Sequence, residues 1–475
     1  MRAISQPSKG PSVSDSQFIV VANRLPVRNV QDSQGQRWET SPGGLVSALA
    51  PVMANREQVS WVGWTGSAGR APAPFMHEGM LLHPVELTRA DIQLYYEGFS
   101  NGTLWPLYHD SISEPEFHRT WWDAYVQVNR RFADAVLALA EPDATVWIHD
   151  YQLQLVPGML RQVMPEMRIG FFLHIPFPAR ELFLRLPWRS QIVRALLGAD
   201  FIGFQTDVMS HNFRHVVPRI AGDEAQVDGD VISFGGRKTI ARTHPIGIDH
   251  DRFAQAAATP STNVAVADLQ ATLNNPKTVL LGVDRLDYTK GIERRLRAFG
   301  ELLDEERLSA DDVVMIQVAE PSRSNVNGYA DIRSRVEQLV GEINGTFASM
   351  TRPAVHYIHR SHGFEELIAL YRLADVMLVT PFRDGMNLVA KEYVAARHDD
   401  TGALVLSEFA GAVHELGEAV IVNPYDVDGL KEAIEFATFM TPDEQQTRMS
   451  TMRAAVAHNT AAHWAETFLE ELEAR

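Results

Sequence analysis

Short runs of apolar residues alternate along the chain with longer segments in which apolar residues recur every three or four positions. The short runs are apolar at almost every position, which is typical of strands buried on both faces of a parallel sheet. Ten segments have this pattern: Phe18–Ala22, Val146–His149, Ile169–His174, Phe201–Phe204, Val279–Val283, Val313–Val318, Val355–Ile358, Val376–Thr380, Ala403–Leu406 and Ala419–Val422. Helical spacing lies between them, for example at Ile292–Leu303 and Phe364–Leu373. This alternation predicts an α/β fold built from doubly wound, Rossmann-like parallel sheets.

The strands fall into two sets, and residues 254–277 between them contain no convincing strand. We therefore predict a domain boundary at Ile248. The predicted parts are a disordered polar tail (1–16), a first Rossmann-like domain (17–248), a second Rossmann-like domain (249–455), and a C-terminal helix (456–475) that can pack back on the first domain. Two such lobes would face each other across a cleft, because open α/β sheets bind ligands outside the carboxyl ends of their strands.

Composition excludes several functions. The 475 residues include no cysteine, so disulfides, thiolate-bound metals and a cysteine nucleophile are ruled out. A formal net charge of −17 disfavours binding to nucleic acid and to anionic membranes. No apolar run approaches the ~18 residues of a membrane-spanning helix, and the N-terminal segment lacks the apolar stretch of a signal peptide. We therefore expect a cytoplasmic protein, and the sequence leaves open whether it forms a homo-oligomer such as a dimer or tetramer.

Familiar cofactor and metal motifs are missing as well. No two glycines lie two positions apart, so the dinucleotide motif G-x-G-x-x-G is absent, which argues against a nicotinamide-dependent oxidoreductase. No Gly-Lys dipeptide is available for a Walker A loop. Motifs of the type D-x-D hold metals in some sugar-nucleotide enzymes. The three D-x-D pairs of this chain are predicted to lie in loops: Asp228/Asp230, Asp249/Asp251 and Asp426/Asp428. We expect neither a cofactor nor a bound metal.

Polar residues directly follow the strands of the first set, where they would line the ligand crevice. Arg24 follows the first strand, while Asp150 and His174 stand at the ends of the next two. The pair Gly43 and Gly44 opens a helical pattern, and the backbone N–H groups of a helix N-terminus suit a phosphate. Between these motifs, residues 95–106 (YYEGFSNGTLWP) are rich in aromatic side chains. Such a segment suits a platform for sugar rings, but by composition alone ordinary core packing is the favoured interpretation.

The second set of strands is followed by cations and by a tight turn. Arg285 and Lys290 lie five residues apart across a strand-to-helix turn, so both can converge on one diphosphate. Arg323 follows the next strand in the same way. After Thr380, the sequence Asp384-Gly385 makes a turn, and we predict that a helix begins near Met386 with Glu392 about two turns along it. The carboxylate of Glu392 could accept hydrogen bonds from vicinal ribose hydroxyls.

These motifs together resemble those of the trehalose-6-phosphate synthase family, which are retaining glycosyltransferases of the two-lobed GT-B architecture. The resemblance runs from Phe18 to about residue 440 and rests on VANRLPV, SPGGL, YYEGFSNGTLWP, WIHDYQL, FFLHIPFP, VDRLDYTKGI and TPFRDGMNLVAKEY, which occur in this order. It implies that glucose passes from a nucleoside-diphosphate glucose to the anomeric hydroxyl of glucose 6-phosphate. The implied product is α,α-trehalose 6-phosphate, made without a metal.

The resemblance also implies roles for individual residues. The acceptor would be held in the first lobe by Arg24, Tyr96, Trp105 and Asp150, together with Arg323. The donor would be held by Gly43, Gly44, His174, Arg285, Lys290, His362, Asp384, Gly385, Met386, Asn387, Leu388, Val389 and Glu392. The residues closest to the chemistry would be Arg285, Lys290, Asp150 and His174. His362 stands where a relative can carry Phe beside the nucleotide base, so uracil, adenine and guanine all stay open.

Two alternatives remain close to this interpretation. One is a GT-B glycosyltransferase with another phosphorylated acceptor, of the glucosylglycerol-phosphate synthase type. The other is a non-catalytic subunit that senses sugar phosphates, although the presence of Arg285, Lys290, Asp384 and Glu392 argues against it.

Overall fold

The structure is a computed structural model, and it describes residues 16–32, 35–41, 46, 49, 53, 56, 58–322 and 329–474. The strands are β1 (Ser16–Arg24), β2 (Val27–Asp32), β3 (Gly35–Thr40), β4 (Val59–Trp64), β5 (Phe75–His77), β6 (Met80–Val85), β7 (Ala140–His149), β8 (Arg168–Phe172), β9 (Phe201–Phe204), β10 (Ala225–Asp228), β11 (Val231–Phe234), β12 (Arg237–Thr243), β13 (Thr278–Arg285), β14 (Val313–Glu320), β15 (Val355–Ile358), β16 (Val376–Val379), β17 (Ala403–Ser407) and β18 (Val420–Val422).

The α-helices are α1 (Arg89–Asp91), α2 (Trp105–Tyr108), α3 (Arg119–Leu137), α4 (Val156–Val163), α5 (Arg180–Phe183), α6 (Arg189–Leu196), α7 (Asp207–Ala221), α8 (His250–Ala257), α9 (Pro260–Thr272), α10 (Ile292–Asp304), α11 (Tyr329–Phe347), α12 (Phe364–Leu373), α13 (Leu388–Ala396), α14 (Val427–Thr438), α15 (Pro442–His458) and α16 (Ala461–Glu473). A π-helix (Ile92–Leu104) joins α1 to α2. Within the described residues, no helix is long and apolar enough to cross a membrane.

The first lobe is built on a ten-stranded sheet with the order β10-β11-β12-β9-β8-β7-β1-β4-β6-β5. Its centre, from β12 to β6, is parallel, and antiparallel hairpins extend both edges. The central strand β1 is buried on both faces: Ile19, Val20 and Val21 are inaccessible to solvent. The continuous apolar run that predicted this strand therefore reflects helices packed on both sides of the sheet.

The second lobe contains a six-stranded parallel sheet with the order β15-β14-β13-β16-β17-β18. Counted within the lobe this is the order 3-2-1-4-5-6, in which the direction of winding reverses between β13 and β16. Open α/β sheets bind ligands at such a switch point. Arg285 ends β13, and Asp384 follows β16, so both lie beside the switch point. The predicted α/β class with parallel sheets is confirmed.

The chain crosses between the lobes twice, and the second crossing carries α16 back to the first sheet. Phe468 of α16 stacks on Trp147 of β7, with ring centroids 4.4 Å apart. Glycines in β8 and β9 allow the Phe468 ring to pack this closely, because a Cβ atom at Gly170 or Gly203 would lie only 2.8–2.9 Å from the ring. The last helix thus completes the core of the first lobe.

Several elements were not predicted from the sequence. They are the hairpin of β2 and β3, the strands β4 to β6, and the strands β10 to β12. The turn Gly229-Asp230 joins β10 and β11 in a hairpin. Residues 254–277 form helices rather than strands, in agreement with expectation. Ser16, which we expected in the tail, already belongs to β1, and the rest of the tail lies outside the described residues.

Candidate active site

The two lobes meet at the switch point of the second sheet. The guanidinium carbon of Arg285 lies 5.7 Å from the ring centroid of Trp105, which belongs to the first lobe. Nearby, Arg383 and Asp110 form an ion pair across the cleft at 3.3 Å. The cleft is therefore lined from both sides, and Trp105, predicted for the acceptor, and Arg285, predicted for the donor, face each other within it.

On the first lobe, aromatic rings hold Arg24 at the end of β1. Its guanidinium carbon lies 4.2 Å from the ring centroid of Trp64 and 5.8 Å from that of Tyr96. Gly66, with φ of +95°, lies beside the guanidinium, and any Cβ there would collide with Arg24 Nη1. Stacking uses the face of a guanidinium group and leaves its edge N–H groups for an anion. Arg24 is exposed and is therefore suited to bind a phosphate.

The aromatic segment before Trp105 places side chains both in the core and beside Arg24. It forms the π-helix, whose Tyr95 and Phe99 are buried in the core of the lobe. Tyr96, one position along, instead faces Trp64 and Arg24. One helix thus contributes side chains both to the core of the lobe and to the surroundings of Arg24.

The ends of β7 and β8 are joined through Asp150. This residue has φ of 77° and ψ of 169°, a region that non-glycine residues rarely enter. Its backbone N–H donates to the carbonyl of Phe172 at 2.8 Å, and its Oδ1 accepts from the backbone N–H of His174 at 3.2 Å. Strain of this kind is typical of functional sites, where the surrounding contacts enforce it.

Two histidines contact each other next to Asp150. Nδ1 of His149 lies 3.2 Å from Nε2 of His174. Burial lowers the pKa of His174 to about 3 and lowers the pKa of His149 well below its ordinary value. Both rings are therefore neutral at physiological pH, so in a hydrogen bond between them one ring donates and the other accepts.

On the second lobe, Lys290 and Asp384 form an ion pair. Nζ of Lys290 lies 2.5 Å from Oδ2 of Asp384, and the same oxygen accepts from Nδ2 of Asn387 at 3.0 Å. Burial raises the pKa of Asp384, but the charge and hydrogen bond of Lys290 more than compensate, so its pKa is below the ordinary value. Asp384 is thus an ionised acceptor at the floor of the cleft.

The loop from Gly385 to Val389 brings a helix N-terminus into the cleft. Asn387 has φ of 78° and caps α13 by accepting from the backbone N–H of Ala390 at 3.2 Å. The backbone of Gly385 abuts the first lobe so closely that a Cβ atom would collide with the carbonyl oxygen of His174. The N–H groups of Leu388 and Val389 begin the helix, where the dipole favours an anion.

Residues 16–474 match the sequence profile of glycosyltransferase family 20.

The chain belongs to glycosyltransferase family 20.

Its relatives agree with this assignment. The trehalose-6-phosphate synthase of Mycolicibacterium gilvum is 49% identical over 483 residues, covering 98% of this chain and 96% of the relative. That of Mycolicibacterium smegmatis is 50% identical over 468 residues, covering 97% and 93%. The family expected from the motifs, and the expectation that the protein is an enzyme, are therefore confirmed.

Solved structures show the same architecture. A UDP-forming α,α-trehalose-phosphate synthase from Burkholderia xenovorans, in complex with glucose-6-phosphate, superposes with a TM-score of 0.88 at 35% identity, covering 97% of this chain and 100% of that one. An Escherichia coli protein of the same type, bound with UDP-2-fluoro glucose, gives a TM-score of 0.88 at 35% identity, covering 96% and 99%. The predicted two-lobed architecture is thus confirmed.

In this family 20 enzyme, Glu392 and His362 belong to the second lobe. Oε2 of Glu392 accepts from the hydroxyl of Tyr371 at 2.9 Å, and burial raises the pKa of Glu392, with the Glu320 charge adding to the effect. The backbone N–H of His362 donates to Oε1 of Glu320 at 3.2 Å. Because Asn387 caps the helix at Leu388, Glu392 lies about one turn along α13 and not two as predicted.

Sequence reasoning missed residues that support the site. Arg295 is fully buried and donates to Asp284 Oδ2 at 2.7 Å, to Thr380 Oγ1 at 3.1 Å and to the carbonyl of Lys290 at 2.8 Å. These hydrogen bonds connect the ends of β13 and β16 to the turn that contains Lys290. A signal was present, because Arg295 falls on the apolar face of α10.

His109 was missed in the same way. Its buried ring packs at 4.0 Å from the ring of Trp105, and its Nδ1 lies 2.8 Å from the Trp105 carbonyl. Burial lowers the pKa of His109 to about 4, although the charge of Asp384 across the cleft acts in the opposite direction. No pattern in the sequence distinguishes this histidine from others.

Three predicted site residues, Gly43, Gly44 and Arg323, lie outside the described residues, and their roles stay predictions. In the part of the chain that is described, no group of three or more His, Asp or Glu side chains could hold a metal ion. Of the D-x-D pairs, Asp228 lies at a hairpin, while Asp249 and Asp426 cap helices.

Proposed function

We propose that this enzyme transfers glucose, with retention, from a nucleoside-diphosphate glucose to glucose 6-phosphate and thereby makes α,α-trehalose 6-phosphate. One observation carries the proposal: Arg285, the cation assigned to the leaving group, lies 5.7 Å from Trp105, the platform assigned to the acceptor. Both substrates are anionic whereas the chain has a net charge of −17, so local cations are needed to hold them. The names of the relatives and the ligands of the two solved structures support the same reaction.

The acceptor would lie on the first lobe. Arg24, together with Arg323, would bind the phosphate of glucose 6-phosphate, since guanidinium groups match phosphate oxygens in bidentate geometry. Tyr96 and Trp105 would pack against the sugar ring. Asp150 would accept a hydrogen bond from a sugar hydroxyl, and its strained backbone would hold the carboxylate in place.

The donor would lie on the second lobe. Arg285 and Lys290 would bind the diphosphate, and the N-terminus of α13 would add the N–H groups of Leu388 and Val389. Asp384 would accept from hydroxyls of the donor glucose, which requires the ionised carboxylate that Lys290 maintains. Glu392 would bind the ribose hydroxyls, and His362 would lie next to the base.

The reaction would break the bond between C1 of glucose and the phosphate oxygen while a new bond forms from O1 of the acceptor to C1. Attack on the face that the leaving group departs from retains the configuration, and the acceptor proton passes to the departing phosphate oxygen. Arg285, Lys290 and the helix N-terminus stabilise the charge that develops there, so the mechanism requires no metal. Neutral His174 would serve as a hydrogen-bonding group and not as a cation.

The test is a panel of donors and acceptors followed by identification of the product. UDP-, ADP- and GDP-glucose are each combined with glucose 6-phosphate, glycerol 3-phosphate and glucose. We expect turnover with glucose 6-phosphate. NMR of the product should show two anomeric carbons, both in the α configuration, that are linked to each other through the glycosidic oxygen. Preference for glycerol 3-phosphate would favour the glucosylglycerol-phosphate alternative, and absence of turnover with every pair would favour a sensing subunit.

A further inference from the structure

Lys391 precedes Glu392 in the donor helix α13, and its side chain contacts the segment that links the lobes. It is fully buried, and its Nζ donates to the carbonyl of Ile246 at 2.8 Å and to Oε1 of Glu415 at 2.7 Å. Burial lowers the pKa of Lys391, and the Glu415 carboxylate opposes that shift. Ile246 belongs to residues 245–249, the segment in which the chain first passes from one lobe to the other.

Glu415 extends this contact to the second passage between the lobes. Its other oxygen, Oε2, accepts from Nδ2 of Asn459 at 3.0 Å, and the same nitrogen lies 3.3 Å from the carbonyl of Pro245. Asn459 lies between α15 and α16, where the chain returns to the first lobe. Lys391, Glu415 and Asn459, which we name the hinge network, therefore join the donor helix to both crossings.

The two crossings are in direct backbone contact with each other. Ile248 and Thr460 pair as a parallel bridge, and the backbone N–H of Ala461 donates to the carbonyl of Ile248 at 2.9 Å. A Cβ atom at Gly247 would collide with the carbonyl oxygen of Asn459. Such close contact leaves the pair of crossings little freedom to slide, so the donor helix is attached to a well-defined pivot.

We propose that the hinge network positions the donor-binding end of α13 relative to the first lobe, and that Lys391 is a positioning residue for the donor. The inference rests on the proposed function. A buried ion pair contributes little to stability compared with apolar side chains of similar volume, whereas its directional bonds fix geometry. Small displacements of a binding group weaken binding and catalysis strongly, so release of α13 from the pivot should affect the donor before the acceptor.

The test separates geometry from stability with paired variants. Lys391→Met alone leaves Glu415 buried without its cation and should lower Tm, whereas the double variant Lys391→Met/Glu415→Leu removes both charges and should recover most of the Tm. In the double variant we expect the donor KM, and the Kd for UDP, ADP or GDP by titration calorimetry, to rise roughly ten- to a hundredfold. The KM for glucose 6-phosphate should change by less than about threefold.

Lys431→Met is the matched control. Lys431 is also a covered, ion-paired lysine of a second-lobe helix, with Nζ 2.7 Å from Glu305, but it does not touch the crossings. Asn459→Ala is a milder variant that exposes no buried charge, and it should raise the donor KM several-fold even if the double variant does not fold.

If the double variant recovers its Tm and its nucleotide Kd is unchanged, the inference is overturned and the proposed function stands. If the double variant does not fold, an unchanged donor KM in Asn459→Ala has the same meaning. Wild-type enzyme that binds none of the three nucleotides would overturn the proposed function, and the inference with it.

Discussion

Nζ of Lys290 lies 2.5 Å from Oδ2 of Asp384, so the cation assigned to the donor diphosphate is paired with the carboxylate assigned to the donor sugar. Both side chains are largely buried, with exposed fractions of 11% and 15%. In such surroundings a lone carboxyl would tend to be protonated, and a protonated acid is a poorer acceptor for sugar hydroxyls. The pair therefore couples the two halves of the donor site electrostatically.

Lys290→Met should move the acid limb of the profile of kcat/KM against pH to higher pH. Lys290 lowers the pKa of Asp384, so its removal leaves burial, which raises that pKa, as the dominant influence. The active ionised form is then lost at a higher pH as the solution is acidified. Profiles measured from pH 4 to 8 with saturating acceptor check this. The control is Lys277→Met, which breaks an exposed ion pair with Asp312. If the acid limb of Lys290→Met stays at the wild-type pH, the coupling between Lys290 and Asp384 is contradicted.

Arg24→Ala should weaken glucose 6-phosphate specifically. A charge-assisted hydrogen bond is worth about 1.5–3 kcal/mol, so kcat/KM for this acceptor should fall roughly ten- to a hundredfold with donor KM nearly unchanged. The variant should also discriminate less against unphosphorylated glucose. Arg285→Ala is the comparison, because loss of charge stabilisation at the leaving group should lower kcat with either acceptor. Equal losses with both acceptors in Arg24→Ala would show that Arg24 does not bind the phosphate.

Gly385→Ala should reduce activity by blocking the approach of the lobes. The new Cβ would collide with the carbonyl oxygen of His174, and overpacking of this kind costs about 1–3 kcal/mol, or roughly ten- to a hundredfold in kcat/KM. The matched control is Gly417→Ala, because a Cβ at Gly417 meets nothing within 4 Å. The test is to measure kcat/KM and Tm for both variants. Wild-type kinetics in Gly385→Ala would mean that the two backbones need not be in contact during turnover.

The buried histidines should make the fold less stable in mild acid. His174 has a pKa of about 3 in the folded state against 6.5 ordinarily, so below pH 6.5 the unfolded chain binds a proton that the folded chain does not. Stability is therefore fully present above pH 6.5 and falls as the pH decreases, by about 1.4 kcal/mol per pH unit for each such group. In His174→Gln, the drop in Tm between pH 7 and pH 5 should be smaller, whereas His211→Gln, at an exposed position of α7, should keep the full drop.

Full activity should persist in excess EDTA, because Arg285, Lys290 and the N-terminus of α13 provide the positive charge at the diphosphate. Initial rates with and without chelator are compared after exhaustive dialysis. Activity that is abolished by EDTA and restored by magnesium or manganese would overturn this prediction and direct attention back to the D-x-D pairs.

The sequence predicted the buried strands well and the edges of the first sheet poorly. Central strands such as β1 and β13 are continuous apolar runs, because helices cover both of their faces. Strands near the edge, such as β11, have few buried positions and are held by hairpin pairing with the strands before and after them, so their pattern resembles that of loops. The π-helix was also missed, because its wider spacing places Tyr95 and Phe99 together on one face and matches neither helical nor strand periodicity.

For the site, residues that end a strand were predictable and residues that support them were not. Arg24 and Arg285 end strands, Asp150 directly follows one, and Asp384 lies in the loop after β16, so topology alone brings them to the cleft. His109 and Asp110 follow the short helix α2, and Arg295 reaches the Lys290 turn from within α10. Their placement depends on the packing of the lobes against each other and of helices on sheets, which a local pattern does not encode.

The position of α16 has a consequence for how the chain folds during synthesis. A ribosome completes β7, β8 and β9 long before it makes Trp464 and Phe468, which pack on Trp147, Phe172 and Phe201 of those strands. Until then, one side of the first sheet exposes large aromatic rings to water, where they are prone to aggregate or to engage chaperones. The lobe that is translated first is therefore the one that matures last.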